Sequence, residues 1–123
     1  MNLPAPFRAT VAEIGGRIAL VSVSGELDLY VERQLNEALE AAELLGAPVV
    51  VVDLSGVVFM DSTVCGILVA EAKRRRRVDG ELVLVSNGSR ATKVLEVAGI
   101  DQLISVHPTL HGAFEQLLLE SAQ

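Results

Sequence analysis

Three consecutive polar side chains, Asp61, Ser62 and Thr63, lie between the apolar run Val57, Val58, Phe59, Met60 and a second apolar run that begins at Val64. A hydroxyl or carboxylate placed directly before a helix accepts hydrogen bonds from the first N–H groups, which have no partner of their own. The same hydroxyl is also a place where a phosphate could be carried, because a helix N-terminus tolerates added negative charge. Ser62 therefore has two readings, a plain cap or a modifiable hydroxyl, and Asp61 and Thr63 are equally good caps. Nucleophilic catalysis finds no support: Ser62 lacks a G-x-S-x-G setting, and neither His107 nor His111 lies in a motif that would bring it alongside.

The remaining chemistry is weaker. His107 and His111 are four apart, but no third ligand stands in register, so no metal, cofactor or catalytic residue is expected. Cys65 could be a redox sensor, but its predicted burial favours an inert thiol. The turn Ser86-Asn87-Gly88-Ser89 could hold an anion, although a turn followed by an N-cap explains it as well. Lys73 and Arg74 to Arg77 form a basic run expected to spray around the end of a helix, solvated and complementing its dipole, with contact to an acidic partner as the alternative.

At 123 residues the chain fits one domain, and a hydrophobic share of 50% excludes disorder. With three Phe, one Tyr and no Trp, the core must be built from Val, Leu, Ile and Ala. A net charge of -6 argues against a direct nucleic-acid partner or an anionic membrane. A single cysteine cannot form an internal disulfide, and no apolar run approaches membrane-spanning length, so a cytoplasmic protein without membrane insertion is expected.

The order of elements is predicted as ββαβαβαβα, an α/β domain over residues 6–120 after a loose lead-in at 1–5. Residues 7–14 and 18–23 form a hairpin about Gly15-Gly16. Residues 24–29 read as a loop with an apolar anchor at every second position. Val31, Leu35, Ala38, Leu39 and Ala42 then mark an amphipathic helix stopped by Gly46 and Pro48. Valines 49–52 are a strand covered on both faces, and Asp53-Leu54-Ser55-Gly56 a turn. After the central helix come strands at 82–85 and 103–106, a helix over 90–97 ended by Gly99, and a terminal helix opened by Pro108. Such alternation implies a mostly parallel sheet with an antiparallel N-terminal pair.

On the helix after Ser62, a period of 100° per residue puts Cys65, Leu68, Val69 and Ala72 toward the core. Thr63, Ile67, Ala70, Glu71 and Arg74 fall on the solvent side. Ile67 is then either a lone surface isoleucine or part of a small docking patch.

Residues 24–42, SGELDLYVERQLNEALEAA, and 50–74, VVVDLSGVVFMDSTVCGILVAEAKR, resemble the STAS-domain family, and among its members the bacterial anti-sigma factor antagonists. The likeness extends over nearly the whole chain, including G-x-L-x-L-V-S-N and A-G-I-D at 98–101. It implies a STAS-like domain that is not an enzyme. When unphosphorylated it binds an anti-sigma factor with serine kinase activity, and so frees a sigma factor. Phosphorylation at Ser62 breaks that complex, and a serine phosphatase restores it. The partner surface implied is Asp28, Asp61, Thr63, Val64, Ile67 and Arg74. In place of the family's usual D-S-[ST]-G-[LI]-G, this chain has D-S-T-V-C-G, so Val64 is expected to narrow access to the serine or to tune the partner. An alternative is a STAS subunit that is never phosphorylated, a structural part of a signalling or lipid transport complex. The hairpin edge leaves a weak homodimer open.

Overall fold

In the computed structural model, residues 5–88 and 90–121 are described. They form β1 (Arg8–Ile14), β2 (Ile18–Leu27), α1 (Glu32–Leu44), β3 (Val49–Met60), α2 (Thr63–Arg77), β4 (Glu81–Val85), α3 (Arg90–Val97), β5 (Ser105–His107) and α4 (Leu110–Ser121). The five strands lie side by side in chain order, β1 antiparallel to β2 and every later pair parallel. This is the expected α/β order, and its parallel crossovers all advance in one direction. Right-handed crossovers in that arrangement put α1, α2 and α3 on one face.

The core follows from that layering. Leu35, Leu39 and Ala42 of α1, Leu68 and Ala72 of α2, and Ala91 and Leu95 of α3 pack on Val21, Val23, Val50, Val52 and Leu84. The opposite face is covered by α4, where Leu110, Ala113, Phe114 and Leu117 meet Val51, Val83 and Val85. Strand β3 is thus apolar without alternation because both of its faces are covered.

Several local expectations are corrected. Residues 24–27 are not a loop but the end of β2, whose burial alternates to Leu27. Leu29 is no anchor; it is exposed, in a short 3-10 turn at Leu29–Val31. The lead-in is tied down at its last residue, since the Glu26 N–H donates to the Ala5 carbonyl at 3.2 Å. Gly25 permits that crossing: with φ +91, a Cβ there would fall 2.1 Å from the Pro6 carbonyl oxygen. The last strand is Ser105–His107 rather than 103–106, because a 3-10 turn at Ile100–Gln102 consumes the preceding residues.

The turn expected at Asp53-Leu54-Ser55-Gly56 is a bulge inside β3. Register against β2 slips between Ser22/Ser24 and again between Gly25/Glu26. Asp53 Oδ1 accepts from the Ser55 N–H at 2.9 Å, so the turn chemistry is real but local. Gly56 is required there, since a Cβ would lie 2.8 Å from Ser24 Cβ. The second slip breaks the inward–outward alternation. Val58 and Phe59 consequently both face out, 55% and 41% exposed.

Candidate functional site

Two parallel strands end side by side at the carboxyl edge of the sheet, where ligand and partner sites of open α/β folds are usually found. Leu27 pairs with Met60 in register, and the next residues are Asp28 and Asp61. The Asp61 N–H donates to the Leu27 carbonyl at 2.8 Å, which locks the two chain ends together. Each aspartate then caps the turn it opens. Asp28 Oδ1 accepts from the Tyr30 N–H at 2.9 Å, and Asp61 Oδ1 accepts from the Thr63 N–H at 2.7 Å.

Asp61, not Ser62, is therefore the side-chain cap of α2. Ser62 has helical backbone angles, φ -63 and ψ -19, and its side chain makes no capping hydrogen bond. A residue already inside the helical region points its side chain away from the N–H groups it would need to reach. The hydroxyl is left exposed at the tip of the helix. Bonding from the backbone N–H and the hydroxyl of Thr63 holds the Asp61 carboxyl below its usual range, so Asp61 is a fixed negative charge beside Ser62.

The first N–H groups of α2 are already engaged. Val64 donates to the Asp61 carbonyl and Cys65 to the Ser62 carbonyl, both at 3.1 Å. A phosphate on Ser62 would not find the free donors expected from sequence at these positions; the positive end of the helix dipole is what remains to attract it.

The core face of α2 is turned from the expected one. Val64, Cys65, Leu68, Glu71, Ala72 and Arg75 are buried, while Val69 is only half-buried. Val64 is 1% exposed and belongs to the core, so it neither covers Ser62 nor offers itself to a partner. Ile67 is half-buried and packed on the core rather than standing free in solvent. The apolar surface near the serine is instead supplied by Leu29, Tyr30, Val58 and Phe59, with Tyr30 83% exposed. Sequence periodicity missed these residues because Val58 and Phe59 lie at a bulge and Leu29 and Tyr30 in a 3-10 turn.

Glu71, placed in solvent by the sequence reading, is 0% exposed. It lies among arginines: Arg74 Nη2 is 3.1 Å from Glu71 Oε1, and Arg75 Nε is 3.4 Å from Glu71 Oε2. Arg74 Nε reaches Glu43 Oε1 of α1 at 3.3 Å. Burial, then a hydrogen bond that the protonated Glu71 carboxyl would donate to Glu43, pushes the Glu71 carboxyl up, against the pull of Arg74. Arg74 thus serves α1–α2 packing, and twelve residues of helix put it about 18 Å along the axis from Ser62. The basic run is only partly solvated, since Arg76 Nη2 also donates to the Leu103 carbonyl at 2.5 Å.

The other candidates have structural partners. Burial, then the Asp61 charge, raises the Cys65 thiol, which keeps it protonated and inert. The Ser86 hydroxyl is paired with Thr92 Oγ1 at 2.7 Å, so it is turned into the protein rather than toward an anion, and Ser89 lies outside the described residues. His111 lies 3.6 Å from Glu115, and no cluster of metal-ligating side chains exists among the described residues. Nor is any described helix long and apolar enough to cross a membrane.

The family profile for the STAS domain matches residues 9–113. An anti-sigma-B factor antagonist from Listeria monocytogenes is 34% identical over 86 residues, 70% of this chain and 75% of that protein. The crystal structure of an anti-sigma factor antagonist from Mycobacterium paratuberculosis superposes with TM-score 0.85 at 28% identity, covering 94% of this chain and 97% of the other. The Bacillus cell fate determinant SpoIIAA in its phosphorylated form shares the fold, with TM-score 0.67 at 18% identity over 89% of this chain and 99% of the other.

Proposed function

The chain belongs to the STAS-domain family, and from that premise we propose that it is an anti-sigma factor antagonist switched at Ser62. In this reading the unmodified chain binds an anti-sigma factor that is also a serine kinase, and the bound sigma factor is released. Transfer of a phosphate to Ser62 ends the complex, and a serine phosphatase resets it. Asp28, Asp61 and Thr63 surround the serine and form the polar part of the contact, with Leu29 and Tyr30 as its apolar part.

The observation that carries this reading is the exposed Ser62 hydroxyl, free of capping duty because Asp61 performs it. A hydroxyl with no part in the fold can be modified without disturbing the fold. Phosphate adds about two negative charges. Against an acidic group of the partner ~5 Å away, at an effective dielectric of ~20, each unit charge costs about 3 kcal/mol. Each such charge is thus about a hundredfold in affinity.

The test is affinity capture of the partner from the native cells, comparing unmodified chain, Ser62→Ala, Ser62→Glu and authentic phosphoserine. Capture by the first two and loss with the last two supports the switch. Equal capture by all four overturns it and leaves the unphosphorylated scaffold reading in its place.

A further inference from the structure

We propose that the open groove between the end of β3 and α3 is a docking site for an acidic segment of a protein partner, one in which carboxylates alternate with apolar side chains. The proposal extends the reading of the chain as a protein-binding module and does not depend on Ser62 being modified. The groove encloses about 460 Å³ and is lined by Phe59 and Met60 of β3, Gly88 after β4, and Arg90, Lys93 and Val94 of α3.

Three features of the fold make this surface. The second bulge of β3 turns Phe59 outward, so an aromatic side chain forms one wall where alternation would have buried it. Helical spacing puts Arg90, Lys93, Val94 and Val97 on one stripe of α3, and Val97 extends the apolar strip with an exposed side chain. Gly88, in the left-handed region at φ +55, lines the groove without adding a side chain to it.

Charge selects the occupant. The chain as a whole carries -6, yet the described residues lining this groove include two cations and no carboxylate. Arg74 and Arg75 are held by Glu43 and Glu71, whereas neither Arg90 nor Lys93 enters an ion pair among the described residues. Two unpaired cations flanking an aromatic and aliphatic floor fit a strand or loop that brings carboxylates to the rim and leucine-like side chains to the floor. The groove opens at the same edge of the sheet as Ser62, because Phe59 and Met60 lead directly into Asp61. A partner seated on the serine is therefore in reach of it.

The experiment titrates the full chain, labelled for amide NMR, with a short peptide alternating glutamate and leucine. Saturable shifts confined to Phe59, Met60, Gly88 and Val94 are expected, with affinity falling as salt rises. The doubly substituted R90E/K93E chain, whose changes lie on exposed and unpaired positions, should melt as the parent does and bind the peptide about tenfold more weakly. Equal binding of a lysine–leucine peptide overturns the proposal. Inorganic phosphate producing the same shifts makes the groove an anion site only, and shifts that follow protein concentration without peptide make it a self-contact; either result also overturns it. Because neither kinase nor phosphoserine is used, peptide binding by a chain that is never phosphorylated would keep the groove and remove the switch.

Discussion

The two ends of α2 are built on opposite principles. At the C-terminal end Glu71 is sealed from solvent and neutralised by Arg74 and Arg75, and Glu43 ties the group to α1. At the N-terminal end Asp61 closes the helix through one local hydrogen bond and leaves Ser62 in solvent. One end holds the helix in place and the other presents it. A charge removed from the first end disturbs packing, whereas a charge added at the second sits in solvent beside Asp61 and the helix N-terminus and displaces no packed side chain.

The largest expected effect tests the locked end. Glu71→Ala leaves the buried Arg75 only its longer, 3.9 Å contact with Glu43, and chemical denaturation should show a loss of about 3–5 kcal/mol. Glu71→Met combined with Arg75→Met should recover most of it, because a buried ion pair is often replaceable by apolar groups of similar volume. If the single change is harmless, the cluster does not hold α2 and the contrast between the ends collapses.

Next in size is the open end. Ser62→Glu should weaken partner binding by up to about a hundredfold. Its melting temperature should stay within a degree or two of the parent, read by differential scanning calorimetry. A large fall in melting temperature would mean that Ser62 serves the fold after all.

Asp61 sharpens the comparison through pH. Its carboxyl titrates below the ordinary 3.8 in the folded chain. Its charge therefore contributes stability above the unfolded value, and that contribution is lost as pH falls through the lower folded value. Asp61→Asn keeps the cap but removes the charge, so it should melt slightly below the parent at neutral pH. The gap should close as the pH drops through the folded-state value; a gap independent of pH would contradict the assignment. The smallest effect is that of Ser62→Ala, which should leave stability within about 0.5 kcal/mol of the parent.

Much of this was legible from residue order. The valines of β3 announced a strand covered on both faces, and Asp61-Ser62-Thr63 announced a helix start. What escaped were features set by contacts between distant segments. The bulges of β3 depend on its register with β2, which turn-forming residues such as Asp53 and Ser55 suggest only ambiguously. The rotation of α2 depends on Glu71 finding arginines and on Val64 entering the core, and a hydropathy pattern cannot see compensation between charges. The cap stayed open between Asp61, Ser62 and Thr63 for a similar reason. Asp61 and Ser62 are both good capping residues by type, and only the backbone angles at Ser62 decide between them.

The central claim, a switch at an exposed serine outside the fold's own bonding, is tested most directly by intact-mass analysis of the protein from its native cells under phosphatase inhibition, with the modified site mapped. The account predicts a population heavier by one phosphate, carried on Ser62. Protein that stays unmodified under every growth condition, or a phosphate found only elsewhere, would contradict it.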